Sequence, residues 1–485
     1  MPHNIPPIKF GTDGWRAIIA EDFTFENVRL CAEAWCRYLK ESGKASKGLV
    51  IGYDTRYASD RFARAAAEVA AANGIKVILC DRPAPTPVVS HTIRHMGAGG
   101  GIVITASHNP AEYNGFKIKD DHASSAPQDV VDQVEACLPA LARSQGVRRI
   151  PFDAALKQGA VRLINPDPAY EESIHHLLSP ERLAGIRNAG LNIVVDSMFG
   201  AGAGYLKRLL SGGSTTVREL NGIRNPSFAG VQPEPISRNL HRLERAVRRG
   251  ASVGLATDGD ADRLGVVDEH GDFVTQLQVY ALLALYFLEV RRMRGPFIKT
   301  ITMTNMLYRL GERYDVPVVE TDVGFKYVGP EMMRLDALMG GEESGGYGFR
   351  GHIPERDGIL AGLFFLDLMV ATGKTPSQLI EYLYSLVGPH YYDRVDLHYP
   401  DDQRDQIIGR VAERRSKVDG RDVTRQEVFG GNGAPIAGVR YFCQDGSWLL
   451  VRFSGTEPVL RIYAECPSPE AVQELLAAGR EMAGL

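Results

Sequence analysis

The sequence predicts three similar α/β domains, with mixed and mostly parallel sheets, followed by a C-terminal α+β domain. Three observations predict it. Strand-like apolar runs alternate with helical periods from the start of the chain, the pattern restarts twice, and roughly the last hundred residues change to strands framed by two helical segments. A chain of 485 residues also exceeds what one hydrophobic core holds, so several units are expected.

In the first unit, Gly48 to Tyr53 reads as a strand, Phe62 to Asn73 as a helix, and Ile75 to Cys80 and Gly101 to Thr105 as further strands. A second unit starts at Leu191 to Asp196, where a strand runs into the glycine-rich Phe199 to Gly204 and then a helical segment; a third starts after Gly295. Seams are expected in the polar stretch 158–168, around 268–272 and near 388–392, giving domains 1–160, 161–272, 273–389 and 390–485. The last domain carries a helical segment from Asp402 to Val418, strands near Gly438 to Phe442, Trp448 to Phe453 and Leu460 to Glu465, and a closing helix from Ser468. The first three units share a rhythm but no strict residue repeat.

Hydrophobic residues make up 44% and charged residues 24%, the balance of a globular protein. With 55 Lys plus Arg against 59 Asp plus Glu, the net charge of −4 supplies no basic field, which excludes a nucleic-acid binder; phosphate recognition has to come from local clusters. The six cysteines form neither a disulfide framework nor a metal-ligand pattern, and Cys31 and Cys36 are expected as small apolar residues on one amphipathic helix. Met1 to Lys9 is proline-rich without an apolar signal core, and no window approaches 18 uninterrupted apolar residues. A cytoplasmic protein with no membrane partner is expected, as a monomer or weak dimer.

Four loops carry the chemistry. The strand Gly101 to Ile104 delivers Thr105, Ala106, Ser107, His108, Asn109, Pro110, and such strand ends are where α/β sheets place their sites. Ser107 sits there like a nucleophile, although a turn satisfied by its own Ser and Asn side chains gives the same residues; the Gly-x-Ser-x-Gly elbow of a hydrolase is missing. Asp258, Asp260 and Asp262 alternate after a strand-like run, and in an extended loop they would point to one side, toward a hard divalent cation. An EF-hand is a poor fit, because its sixth position needs glycine and here is Arg263. Magnesium suits three carboxylates beside a phosphate better than calcium does. Gly341 to Gly346 offers Glu342 and Ser344, partners fit for sugar hydroxyls. Arg452, Phe453, Ser454, Gly455, Thr456, with Arg461 beyond, make either an anion cradle or a plain turn between strands.

In this order the four loops resemble the α-D-phosphohexomutase superfamily of phosphoglucomutases and phosphomannomutases. Matches also include Gly11 to Arg16, Asn114 to Lys117 and His352 to Gly358, so the resemblance spans essentially the whole chain. It implies four domains around a central cleft, each contributing one loop. It further implies that Ser107 carries a phosphoryl group, that Asp258, Asp260 and Asp262 hold one Mg²⁺ together with a phosphoserine oxygen, and that Glu342 and Ser344 grip the sugar. Arg452, Ser454, Gly455, Thr456 and Arg461 match the clamp for the phosphate that is not transferred. Arg16, Lys117 and Arg263 match basic positions around the nucleophile, and Val323, Gly324 and Arg356 match substrate contacts of the glucose-type members.

The implied cycle interconverts hexose 1-phosphate and hexose 6-phosphate through a 1,6-bisphosphate, which also serves as activator. Lys117 is the favoured acid/base, with His108 second. Family members acting on mannose or glucosamine phosphates often place histidine at the end of the sugar loop; this chain has Gly346, which leans toward glucose. Gly11 to Arg16 resembles the glucosamine and mannose branches more closely, leaving mannose, alone or in addition, as the alternative and a phosphoglucosamine mutase behind it. Outside the mutases stand a non-catalytic sugar-phosphate-binding protein and a phosphatase using the same serine and metal.

Overall fold

The computed structural model describes residues 8–143, 146–431, 434–454 and 458–485. They form two compact units, one of residues 1–303 with 311–380 and one of residues 304–310 with 381–485.

The first unit holds three mixed sheets. In the first, β1 (Trp15–Ile18), β2 (Leu49–Tyr53), β3 (Val77–Cys80), β4 (Gly101–Ile104), β5 (Tyr113–Lys119) and β6 (Val161–Ile164) run in the order β1-β5-β4-β2-β3-β6. The four strands from β4 to β6 are parallel, and β5 and β1 close the edge antiparallel. The ladder takes in β6, four residues beyond the seam expected at 160/161. Helix Phe25–Glu41 packs on this sheet, capped by Thr24 Oγ1, which accepts from the amide of Asn27 at 3.2 Å. Cys31 and Cys36 lie buried on it as expected.

Helix Thr86–Met96 was not legible in the sequence. Its Pro87, Ser90 and Thr92 have weak helix propensity, and the helix is set by packing instead. Gly52 on β2 and Gly101 on β4 are bare where Val89 and Ile93 press in: a Cβ at either glycine would stand 2.2 and 2.3 Å from those side chains.

The second sheet combines β7 (Asn192–Asp196), β8 (Thr216–Leu220), β9 (Val253–Thr257), β10 (Leu264–Val267) and β11 (Phe273–Val274) in the order β11-β10-β9-β7-β8. It is half parallel: β7 pairs parallel with β8 and β9, whereas β10 pairs antiparallel with β9 and β11. The third sheet, β12 (Phe297–Thr300), β13 (Val318–Thr321), β14 (Met339–Gly341) and β15 (Tyr347–Phe349), runs β13-β12-β14-β15 with only the last pair antiparallel. Helix Gly358–Thr372 is apolar all round and buried through twelve residues; Asp357 caps it by accepting from the amides of Ile359 and Leu360 at 3.0 and 2.9 Å. No single described helix is long and apolar enough to cross a membrane.

The second unit is built on an antiparallel sheet of β16 (Tyr391–His398), β17 (Lys417–Val418), β18 (Arg421–Gly431), β19 (Ala434–Cys443), β20 (Trp448–Phe453) and β21 (Val459–Cys466), ordered β16-β21-β20-β19-β18-β17. Helix Pro469–Ala483 starts at Ser468, whose hydroxyl accepts from the Ala471 amide, and buries Val472, Leu475 and Leu476. The helical segment expected over 402–418 is shorter, Arg404–Ala412, and its tail is strand β17. β16 escaped the sequence reading because polar Asp393, Arg394 and Asp396 dilute its apolar alternation. The expected architecture, three mixed-sheet α/β domains and an antiparallel α+β domain, is the one found.

Candidate active site

Ser107 lies in the loop between β4 and β5, fully buried, with φ of +52°. A serine in the left-handed region costs about 1–2 kcal/mol, and two contacts hold it there. Its amide donates to Thr105 Oγ1 at 2.8 Å, and its carbonyl accepts from Arg56 Nη2 at 2.7 Å. Arg56 also donates to the carbonyls of Asn109, Pro110 and Tyr113, so one buried guanidinium fastens the whole loop. Asp54 fixes Arg56 in turn, at 3.3 Å. Neither residue was singled out from the sequence. Their position directly after β2, at the carboxyl end of a parallel strand, was the available signal.

The Ser107 hydroxyl donates to Asp258 Oδ2 at 2.8 Å, across 151 residues of chain. The aspartate loop joins the antiparallel strands β9 and β10, and its form differs from the extended one expected. It is a turn with Ala261 at φ +58°, and Asp258 Oδ1 accepts from the amides of Asp262 and Arg263 at 3.0 and 3.3 Å. The carboxylates therefore converge because the loop folds back on Asp258, not because alternate residues share a side. One oxygen from each of Asp258, Asp260 and Asp262 lies within 4.8 Å of the others. Gly259 sets the approach to the serine loop, since a Cβ there would stand 2.4 Å from the Ser107 carbonyl oxygen.

These three residues fit a metal ion. All are fully buried, and Asp260 Oδ1 and Asp262 Oδ1 have no hydrogen-bond partner, a costly arrangement for carboxylates unless a cation takes up the lone pairs. Burial, with the adjoining charges of Asp260 and Asp262, pushes the Asp258 carboxyl well above the usual range.

Lys117, on β5, is buried and faces three carboxylates: Asp13 at 2.6 Å, Asp260 at 2.8 Å and Asp262 at 3.3 Å. Burial alone would lower its pKa, but the combined attraction of Asp13, Asp260 and Asp262 outweighs it and holds the side chain as an ammonium. His108 Nδ1 stands 3.3 Å from Ser107 Oγ, and burial together with the positive charges of Arg263, Arg16, Lys117 and Arg56 keeps the imidazole neutral. Arg16 on β1 donates to Asn109 Oδ1 at 2.7 Å. Arg263 Nε lies 3.9 Å from both Asp258 and Asp262.

The loop Gly341 to Gly346, between β14 and β15, is tied to the aspartate loop by the Leu264 amide, which donates to the Gly345 carbonyl at 3.0 Å. Glu342 meets Arg356 Nη1 at 3.3 Å, and Arg356 also pairs with Asp13 at 2.6 Å, Asp262 at 3.0 Å and Glu355 at 3.0 Å. Burial raises the Glu342 carboxyl although Arg356 and Arg263 oppose it. Ser344 is partly exposed in the same loop. Val323 and Gly324 lie between β13 and helix Phe325–Leu335; Gly324 adopts φ +133° and would bring a Cβ to 3.7 Å from that of Thr12. Asp13 emerges as the residue joining Lys117 to Arg356. Thr86, which donates to Asp260 Oδ2 at 2.6 Å, was also missed.

The remaining candidates belong to the second unit. Arg452 and Arg461 pair across β20 and β21, and Arg461 Nε lies 3.7 Å from Asp396. Ser454 follows β20, and its carbonyl accepts from Arg404 Nη1 at 3.5 Å; the Arg404 guanidinium lies over the Phe453 ring at 5.0 Å. Arg404 was not anticipated. Gly455 and Thr456 lie outside the described residues.

The arrangement defines a class of protein, and comparison with known proteins gives the same class. The chain belongs to the phosphoglucomutase/phosphomannomutase family, whose α/β/α domains I, II and III match residues 7–144, 169–271 and 276–387 and whose C-terminal domain matches 409–482. It is a phosphohexomutase, an intramolecular phosphotransferase. It is 31% identical to the phosphoglucomutase/phosphomannomutase of Thermococcus kodakarensis over 97% of each chain. Identity is also 31% to the phosphoglucosamine mutase of Acidothermus cellulolyticus, over 95% of this chain and 92% of that one. A crystal structure described as a "putative phosphomannomutase" from Thermus thermophilus superposes with a TM-score of 0.82 at 36% identity, covering 99% of both chains.

Proposed function

We propose that the protein interconverts hexose 1-phosphate and hexose 6-phosphate, glucose foremost, through a phosphoserine at Ser107 and a 1,6-bisphosphate intermediate. The observation that carries this reading is the Ser107 hydroxyl donating to Asp258 within the buried aspartate triad, beside a lysine that spans the other two aspartates. Asp258, Asp260, Asp262 and a phosphoserine oxygen would hold one Mg²⁺. When bound, the ion would draw charge from the phosphoryl oxygens in a loose transition state.

In the first half of the cycle, phospho-Ser107 gives its phosphoryl group to the free hydroxyl of the sugar monophosphate. The bond from phosphorus to Ser107 Oγ breaks, a bond to the sugar oxygen forms, and the hydroxyl proton passes to the enzyme. The second half reverses these steps at the other end of the turned bisphosphate, whose trace presence also restores any dephosphorylated enzyme. Lys117 is the proposed proton carrier: its ammonium gives a proton to the departing Ser107 Oγ, and the amine so formed takes up the proton of the sugar hydroxyl, so the side chain ends the step as it began. His108, neutral beside Ser107 Oγ, orients the loop. Arg16 and Arg263 supply positive charge, Arg56 and Thr105 hold the nucleophile, and closure of the fold around Ser107 excludes water. Val323, Gly324, Glu342, Ser344 and Arg356 would position the sugar, and Arg452, Ser454, Gly455, Thr456 and Arg461 its second phosphate. The reading puts the enzyme in the cytoplasm, in keeping with six free cysteines.

Mannose is the second reading, favoured by the names of the Thermococcus and Thermus relatives. The test incubates the protein with Mg²⁺, a trace of glucose 1,6-bisphosphate and, in parallel, the 1-phosphates of glucose, mannose and glucosamine, following each 6-phosphate and free phosphate. Conversion of glucose 1-phosphate that is lost in Ser107→Ala supports the proposal. Preferential conversion of another sugar replaces glucose, and phosphate release matching substrate loss replaces the mutase cycle with hydrolysis.

A further inference from the structure

Behind the catalytic loops, helix Thr86–Met96 presents His91, Arg94 and His95 toward one cavity of about 430 Å³, a size within the range of small-molecule sites. His176 and Ser173, from helix Asp167–Leu178, and His352, from the loop after β15, complete its polar wall. The His91 ring stacks on His95 at 5.9 Å and on His352 at 6.2 Å. Four imidazoles and one guanidinium thus face a single space whose lining includes no carboxylate.

Asp357, the acid that meets His352, is already engaged. It accepts from both the Tyr170 hydroxyl and the amides of Ile359 and Leu360, and it meets His352 Nε2 at 2.9 Å. Arg94 donates to the His352 carbonyl at 2.8 Å and makes no ion pair among the described residues. His91 Nδ1 is buried without a hydrogen-bond partner. His91 Nδ1 thus lacks a partner beside the exposed side chains of Arg94 and His95, and an oxyanion would supply one acceptor to all three at once.

We propose that this cavity is a second anion site, binding phosphate or a small phosphate monoester between Arg94, His91 and His95. Protonation of His91 strengthens it. The groups that face His91 are Arg94 and His95 on its own helix, His352 and Asp357 from the loop beyond β15, and Tyr170 and His176 from helix Asp167–Leu178. Burial, followed by the like charges of His352 and His95, holds the His91 imidazole down at about 4; a bound anion opposes those repulsions, so binding takes up protons. The helix that carries the site begins at Thr86, the residue bonded to Asp260, which gives the anion a direct structural line to the aspartate loop.

The experiment is calorimetric titration of the full chain with sulfate, inorganic phosphate and glycerol 3-phosphate at about pH 5 and about pH 8. The proteins are wild type, Arg94→Gln/His95→Gln and Arg452→Ala. Sulfate keeps its charge across that range, so its pH dependence reports the protein alone. We expect a binding event that tightens at the lower pH, that Arg452→Ala retains, and that Arg94→Gln/His95→Gln weakens by about tenfold or more while mutase turnover stays at the wild-type level. Tighter binding of glycerol 3-phosphate than of phosphate assigns the site to esters, and the reverse order to free phosphate. Unchanged binding by the double variant, or loss of all binding in Arg452→Ala, overturns the proposal. A tungstate-soaked crystal checks it without any variant: anomalous density beside Arg94 and His91 is expected, and its absence refutes the site.

Discussion

Replacing Gly259 with alanine tests whether the serine and aspartate loops must meet as closely as they do. The added Cβ would stand 2.4 Å from the Ser107 carbonyl oxygen, where ordinary contact begins near 3.4 Å, so the loops must part by about 1 Å. The Ser107 carbonyl cannot yield freely, because Arg56 holds it at 2.7 Å and is itself held by Asp54. The strain therefore falls on the contact between Ser107 and Asp258. A displacement of this size costs about a hundredfold in rate, or about 2.7 kcal/mol of transition-state stabilisation. The assay is conversion of glucose 1-phosphate by the phosphorylated enzyme, with kcat and KM separated. The expected result is a fall in kcat with KM little changed, because the sugar loop is not displaced. A kcat within about threefold of wild type would refute the claim that this close approach positions the nucleophile.

Lys117→Met should lower turnover by about a hundredfold or more; a variant within about tenfold of wild type would remove Lys117 as proton carrier. Chelation should lower Tm and Mg²⁺ should raise it, by about 2.7 kcal/mol of stability at a hundred times Kd, and Asp260→Asn should shrink that shift in calorimetry. His91 gives a pH dependence whose sign follows from its depressed pKa. Above about 6.5 the imidazole is neutral in both folded and unfolded chains and its contribution is fully present. As pH falls from there toward 4, only the unfolded chain takes up the proton, and stability falls by about 2 kcal/mol after discounting for the partial exposure of the ring. Urea midpoints at pH 7.5 and 4.5 should therefore differ less in His91→Gln than in wild type.

The parts of the site legible in the sequence are those encoded within a few residues. Ser107 on its strand-end loop, three aspartates in five positions and the glycine-flanked Glu342 each announce themselves locally. The partnerships that organise them do not. Asp13 and Arg356 are separated by 343 positions, Lys117 and Asp260 by 143, and Thr86 and Asp260 by 174, so no spacing rule connects them. Asp13 stood within the quoted Gly11 to Arg16 match, yet its function as the shared carboxylate between two cations depends on β1 pairing with β5, which is a tertiary fact. The fold shows the same division. Buried β2, β4 and β9 are apolar throughout and were readable, while β16 and β18 carry alternating charges on half-exposed faces and were not.

Gly346 gains a physical meaning that the sequence comparison alone did not give it. A Cβ at this position would lie 2.3 Å from Arg356 Cδ and 2.8 Å from its Cγ, so the glycine is a vacancy filled by the arginine stem. A histidine there would have to expel that stem and with it the guanidinium bound by Asp13, Asp262, Glu342 and Glu355. Glycine at 346 and arginine at 356 are thus one choice, and an imidazole at the end of the loop is the other. With the arginine in place, one Glu342 oxygen is committed to a fixed cation, so in the proposed sugar site the hydroxyls would meet the other oxygen together with Ser344. The proposed preference for glucose would accordingly depend on Arg356, anchored by four carboxylates, as much as on Gly346.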